Sequence, residues 1–301
     1  MTDKPIIPLY SIARGDRPQS PFRLVEMTPR KEGTYDYSRP HRHDYYEIFW
    51  FEAGEGEHDI DFTTYPITPP SLHFVSPGQV HQVRRSNDSL GCVILFSDEF
   101  YSLGTSDRDI LHDVPMLHTL LGGSHPHPLL NLDESEAAAM TATIGRMRGE
   151  LETESAYRDD ALRSHLNLLL IATCRLLEKR DGGMTEETKE KSLVRRLRAL
   201  VERNFHAIHA VTAYANSLSV TPGHLNEVTK SVTGKTVSGL IQERIILEAK
   251  RLLAHSDRSV KEIAYALGFD DPSYFTRFFR ERAGAAPLTF RERHQRGDVM
   301  E

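Results

Sequence analysis

Cysteine is nearly absent from this 301-residue sequence: Cys92 and Cys174 are the only two. Two thiols cannot build a disulfide framework or a four-cysteine zinc ribbon. No run approaches the ~18 consecutive apolar residues of a membrane helix. The start, Met1-Thr2-Asp3-Lys4-Pro5, lacks the basic stretch and apolar run of a secretory leader. A cytoplasmic chain with no membrane partner is therefore expected. No glycine-rich phosphate loop and no Ser–His–Asp motif stands out, so the sequence carries no sign of a P-loop nucleotide site or a triad hydrolase. At ~100–200 residues per domain the length suits about two domains. A composition of 39% hydrophobic and 27% charged residues excludes a mostly disordered chain.

Positive charge is also in deficit, with a formal net of −6, but unevenly. Residues 1–190 carry 19 Lys and Arg against 31 Asp and Glu, a net of −12. Residues 191–301 carry 18 against 12, a net of +6. Such an asymmetry between halves implies an acidic domain joined to one that meets nucleic acid.

What is present divides the chain into a β part and an all-α part. Residues 1–132 hold short β-rich runs such as Glu47-Ile48-Phe49-Trp50-Phe51, Leu72-His73-Phe74-Val75 and Cys92-Val93-Ile94-Leu95-Phe96. Gly54, Gly56, Pro66, Pro69-Pro70 and Pro77-Gly78 punctuate them, which predicts a sandwich or barrel. Asp133-Glu134-Ser135-Glu136 then offers a helix start, with carboxylates at the positive end of the helix dipole. Leu162, Leu166 and Leu169, followed by Leu176, make an apolar stripe over a helical connector at 133–182. That stripe suits packing onto the β domain or a dimer seam with a second copy. A linker is expected at 183–191. From 192 to 296 the pattern is helical, with two helix–turn–helix stretches roughly 50 residues apart.

The second stretch is the more specific. Ile263, Ala264 and Leu267 share a helix face, Gly268 supplies a turn that tolerates positive φ, and Phe269 plugs the core behind it. Asp270 and Asp271 can cap the next helix, whose first turn suits Pro272. Tyr274-Phe275, Phe278 and Phe279 continue as an aromatic stripe. Together with Gly284, Pro287 and Phe290-Arg291, these anchors resemble the signature of the AraC/XylS family of transcription regulators. Ala286 departs from the pattern, which usually has Thr there. The resemblance implies two helix–turn–helix motifs joined by a long helix, here expected over Thr236 to Ala254. Each recognition helix would enter a major-groove segment of double-stranded DNA. In the first motif, Val211 to Gly234, the outward candidates are His224, Asn226, Glu227 and Lys230. In the second they are Ser273, Thr276, Arg277 and Arg280. Arg277 is the expected base reader, through bidentate pairing with guanine, and Asn226 could pair with adenine in the same manner. Lys230 and Arg280 suit phosphate contacts. An activator, the family's commoner mode, would also meet RNA polymerase, and a homodimer is expected.

The β part holds a second constellation. His41, His43 and Glu47 stand at i, i+2 and i+6, so on a strand all three project to one face. Pro77-Gly78-Gln79-Val80-His81 adds another imidazole after a turn. Three imidazoles and a carboxylate suit a divalent Zn, Fe, Ni or Mn ion. The two runs resemble the cupin β-barrel and the effector-binding domain common in AraC-type regulators. The preferred reading is a metal-free sensory pocket for a small-molecule effector, an aromatic acid before others. Tyr45, Phe49, Phe51 and Phe74 are its further lining candidates. A metal-occupied pocket is the second reading. The alternative function is a metal-dependent cupin enzyme fused to a DNA-binding module. A DNA-repair methyltransferase would need a reactive cysteine; Cys92 and Cys174 both read as core.

Overall fold

The computed structural model describes residues 9–12, 21–27, 39–102, 114, 128–153, 155–180 and 188–296. Their contacts form two units, one holding the described residues up to 180 and the other those from 188 on. Among the described residues no helix is long and apolar enough to cross a membrane.

The first unit contains β1 (Leu9–Tyr10), β2 (Phe22–Glu26), β3 (Arg42–His43), β4 (Tyr46–Ala53), β5 (Gly56–Ile60), β6 (Thr63–Ile67), β7 (Ser71–Val75), β8 (His81–Arg85), β9 (Leu90–Phe96), α1 (Asp98–Ser102), β10 (Leu129–Asn131), α2 (Glu134–Glu152) and α3 (Arg158–Arg180). Where a barrel was expected, the described residues form three sheets: a five-stranded one in the order β10-β7-β4-β9-β2, a three-stranded one in the order β6-β5-β8, and a short parallel pair of β1 with β3. β4 lies at the centre of the larger sheet, and its continuous run Tyr46-Glu47-Ile48-Phe49-Trp50-Phe51 is buried on both faces. Strand alternation divides that run. Tyr46, Ile48 and Trp50 join Leu72, Phe74, Ile94 and Phe96 in a core that also takes Met140, Ile144 and Met147 of α2 and Leu162, Leu166, Leu169 and Leu170 of α3. On the opposite face Phe49, Phe51, Val75, Val93 and Leu95 pack against Ile60, Ile67 and Val83 of the smaller sheet. The helices thus cover one face of the larger sheet, and the smaller sheet covers the other.

This arrangement corrects two expectations. Leu162, Leu166 and Leu169 are fully buried against the sheet within one chain, and Leu176 packs at the margin of the same core. The stripe is consumed by the chain's own core and offers no dimer seam. Phe74 has the parity of Leu72, so it lies in the helix-facing core rather than in the interior between the sheets. Tyr45, Phe49 and Phe51 do lie in that interior. Asp133 begins α2 as expected: its carboxylate accepts from the Glu136 N–H, and the Glu136 side chain accepts from the Asp133 N–H.

The second unit is all helix: α4 (Lys189–Asn204), α5 (Val211–Ser217), α6 (Pro222–Thr233), α7 (Val237–His255), α8 (Val260–Ala266), α9 (Pro272–Ala283) and α10 (Pro287–Arg296). α4 starts inside the segment expected as linker, because Thr188 caps it by accepting from the Lys191 N–H. Residues 183–187 of that segment lie outside the described residues. The joining helix α7 carries two buried arginines. Arg244 bonds Glu202 at 2.9 Å and Glu248 at 3.0 Å, and Arg251 lies 3.3 Å from Glu248. Burial opposes charging Glu248, but the two guanidinium groups outweigh it and hold its pKa below the ordinary carboxylate value.

Candidate effector site and DNA-binding face

Two backbone contacts bring the distant histidine motifs together. The His41 N–H donates to the His81 carbonyl at 3.0 Å, and the His81 N–H donates back to the His41 carbonyl at 2.9 Å. The Gly78 N–H, on a turn with φ of 79°, donates to the His43 carbonyl at 2.8 Å. This turn delivers His81 to the face that His41, His43 and Glu47 share. All four side chains are buried. The donor atoms of His41, Glu47 and His81 lie within 4.8 Å of one another. His43 Nε2 is 3.3 Å from the Glu47 carboxylate and 3.1 Å from His81 Nε2. His81 Nε2 is likewise 3.3 Å from Glu47.

Neither Glu47 oxygen has a hydrogen bond of good alignment, and the group is fully buried. A buried carboxylate without a partner costs several kcal/mol, an order-of-magnitude figure, unless a cation meets it. Tetrahedral ligands at ~2.0–2.1 Å from a zinc ion stand ~3.3 Å apart. The separations among His43, Glu47 and His81 fit that spacing, and the donor set of imidazoles and one carboxylate suits a divalent transition metal.

The interior holds two further imidazoles absent from the expected site. His58 of β5 and His73 of β7 are buried beside the others. His58 Nε2 is 3.2 Å from His81 Nδ1, and His58 Nδ1 is 3.2 Å from His73 Nδ1. Their signal was strand parity: His58 alternates with inward Ile60, and His73 with inward Val75. Burial, reinforced by neighbouring imidazoles, holds the pKa values of His58 and His81 well below 6.5; burial lowers that of His73 to about 4. Phe49 packs edge-on against both His58 and His81, and the His43 ring stacks on Tyr45. Beside Phe49 lies a cavity of about 20 Å³ that Arg85 and Val83 also line.

The two helix–turn–helix units of the second unit repeat one plan. The Val220 N–H donates to Ala215 and the Phe269 N–H to Ala264, each at 3.0 Å, across the two turns. Ala215 and Ala264 are fully buried, where only a small side chain lets the second helix cross. Thr221 and Asp271 cap α6 and α9, Pro222 and Pro272 open them, and Gly234 and Gly284 close them with φ of 73°. With this 50-residue correspondence, His224, Asn226, Glu227 and Lys230 fall on the positions of Tyr274, Thr276, Arg277 and Arg280.

Most of the expected contact residues face outward. His224, Glu227, Lys230, Ser273, Arg277 and Arg280 are exposed, and Asn226 and Thr276 are half-buried. Lys230, Arg277 and Arg280 have no ion-pair partner among the described residues. Asn226 needs correction as a bidentate adenine reader, because its Oδ1 already accepts from the Val237 N–H at 3.1 Å and so ties α6 to α7. Tyr274 also departs from expectation. In the sequence it belongs to the aromatic stripe, yet it is 55% exposed beside Ser273 and Arg277, with its ring tilted against Phe269 at 5.9 Å between centroids.

Comparison with known proteins agrees with this geometry. An AraC-like ligand binding domain matches residues 27–170, and a helix-turn-helix domain matches residues 214–293. The transcriptional activator RhaR of Mannheimia succiniciproducens is 22% identical over 277 residues, 90% of this chain and 95% of its own length. The activator RhaS of Salmonella schwarzengrund is 26% identical over 255 residues, 84% of this chain and 87% of its own. The structure of ToxT from Vibrio cholerae covers 90% of this chain and 97% of its own, at 16% identity and a TM-score of 0.39. The paired helix–turn–helix plan and the matches to both halves place this chain in the AraC family of transcription regulators, with a ligand-binding domain ahead of a DNA-binding one.

Proposed function

We propose that this chain activates transcription at a specific promoter when a small-molecule effector occupies the interior between its two larger sheets. The observation that carries this reading is the outward set on α9, where Ser273, Arg277 and Arg280 are exposed on a helix held by the same frame as α6. Arg277 reads a guanine, and Lys230 and Arg280 hold phosphates. The protein acts in the cytoplasm, performs no catalysis itself and contacts RNA polymerase as an activator. It assembles as a homodimer through a surface other than the leucine stripe, which sedimentation of the full-length chain tests.

The effector domain also holds a divalent metal at His41, His43, Glu47 and His81. A buried carboxylate 3.3 Å from two imidazole nitrogens, with no aligned hydrogen bond to either, favours this over the metal-free pocket. Such an ion would act as a Lewis acid that anchors an effector oxygen. An aromatic acid is the effector class favoured; the cavity that Phe49 and Arg85 line holds only about 20 Å³, room for roughly one water, so such a ligand requires the interior to open. Fluorescence anisotropy of the full-length protein on fragments from its own promoter tests the DNA reading; equal affinity for all fragments at physiological salt would overturn it. Metal analysis of protein purified without a His tag tests the centre, and the absence of stoichiometric metal returns the pocket to its metal-free form.

A further inference from the structure

The first helix–turn–helix motif leaves a groove beside α6. α4 runs along it, and Lys189, Ser192, Leu193 and Arg196 stand at i, i+3, i+4 and i+7, so one face of α4 forms one wall. The turn before α6 supplies Leu218 and Val220, and α6 itself supplies His224 and Val228. Together they line a cavity of about 330 Å³, within the ~300–1,000 Å³ of small-molecule sites. Leu193, Leu218 and Val228 are buried and make an aliphatic floor. Lys189 and Arg196 are exposed, two helical turns apart on the wall, roughly 10 Å along the axis. Arg196 has no ion pair or hydrogen bond among the described residues. Glu190 is the one carboxylate in the lining. Its own backbone N–H, then the Thr188 hydroxyl, hold it below the ordinary carboxylate pKa, ahead of His224 and Lys189. Two cations against one carboxylate leave the lining positive. At the corresponding place in the second motif the larger Phe278 stands for Val228, and the Arg282 guanidinium covers it at 4.4 Å from the ring centre.

We propose that this groove binds an elongated aliphatic dicarboxylate, and that its occupation weakens operator binding. The aliphatic body matches the floor of Leu193, Leu218 and Val228, and a carboxylate at each end meets Lys189 and Arg196. Ser192, half-buried between them, offers a hydroxyl donor. A monocarboxylate would leave one cation unmet, and a diamine would meet two like charges. A DNA strand brings negative charge but no aliphatic body for the floor. The coupling follows from charge. His224 lines the groove and also stands exposed among the outward residues of α6. A dianion there turns a positive wall negative beside the operator phosphates, and like charges at short range repel. By linkage, the operator weakens binding of the dianion by the same factor. The site is separate from the interior of the β part, since all of its lining comes from α4, α6 and the turn before α6. The antagonism rests on the reading that α6 meets DNA; the binding itself does not.

The test is calorimetry of the full-length protein at fixed ionic strength with decanedioate, and with decanoate and the diamine of the same length for comparison. Decanedioate is expected to bind about fivefold more tightly than decanoate, the gain of one exposed ion pair at its upper end, and the diamine is expected not to compete. Arg196→Gln should bring the two acids to equal affinity. Val228→Phe, which copies the second motif, should abolish binding. Absence of decanedioate binding, absence of a preference over decanoate, or binding that Arg196→Gln leaves unchanged would each overturn the site. In anisotropy, saturating decanedioate should weaken operator binding of the wild type about fivefold, and Val228→Phe should be insensitive to it. Binding with operator affinity unchanged would overturn the antagonism. His224→Ala then locates the fault: weaker operator binding in this variant leaves the DNA reading of α6 standing, and unchanged binding overturns that reading too. Arg196 lies on the surface, so its variant decides the matter even where Val228→Phe fails to fold.

Discussion

Single residues in this protein are constrained for different physical reasons. Gly268 turns between α8 and α9 with φ of 76°, and a Cβ there would stand 2.6 Å from the His206 carbonyl oxygen. Gly268→Ala is therefore expected to cost ~1–3 kcal/mol through backbone strain and that clash, read as a lower urea midpoint with an unchanged slope. Arg277 is constrained by what it meets outside the chain. Arg277→Ala is expected to weaken operator binding by ~1–3 kcal/mol and to relax discrimination at one base pair, measured by anisotropy on a set of single-substitution operators; an equal loss on every operator would make it a phosphate contact. The glycine and the arginine were both legible in the sequence, because each belongs to a motif of fixed spacing. Tyr274 was not, since an aromatic residue among Phe275, Phe278 and Phe279 reads as core until the helix phase is known. His58 and His73 escaped for a related reason: strand parity places them inward, but only the pairing of β5 with β8 and β7 with β4 shows that they meet His81.

At the scale of elements, α3 and α7 show what periodicity does and does not say. The leucine spacing of α3 specified an apolar face without naming its partner. The structure supplies it: the larger sheet has a second apolar face, and α3 with α2 covers it. Leu166→Ala is expected to destabilise the chain by ~2–5 kcal/mol, as a cavity in a packed core, with no change in sedimentation. A shift from dimer to monomer without loss of stability would restore the seam. For α7, the buried network of Glu202, Arg244, Glu248 and Arg251 ties stability to pH. Glu248 has a folded-state pKa below its ordinary 4.5, so its contribution is complete above pH 4.5 and is lost as pH falls below it. Urea melts of wild type and Glu248→Gln should differ most at neutral pH and converge as the solution is acidified. Such polar pairing inside a helix bundle is hard to read from sequence, because Arg244 and Arg251 look like an ordinary solvated face until α4 brings Glu202 to Arg244.

For the whole molecule, the charge division between halves and the linker expected at 183–191 are both read from the amino-acid order. The acidic ligand-binding domain and the basic DNA-binding unit should give steeply salt-dependent association. Each phosphate contact contributes a slope of roughly −0.9 in log K against log salt. Lys230→Ala and Arg280→Ala are each expected to reduce that slope by about 1 while leaving base preference unchanged, measured by titrations at several salt concentrations. The division of the β part into separate sheets was less legible, since short strands with turn signals specify a β core but not how its strands divide.

The 50-residue correspondence between the two helix–turn–helix units has a consequence for the DNA itself. The frames are alike, but the reading surfaces differ: Glu227 against Arg277, His224 against Tyr274, Gly223 against Ser273. One chain therefore sees its site as a sentence with a direction, two unlike words in fixed order rather than a palindrome. Inverting such a site would turn the bound protein end for end relative to the start of transcription, and an operator with both words intact could then be silent.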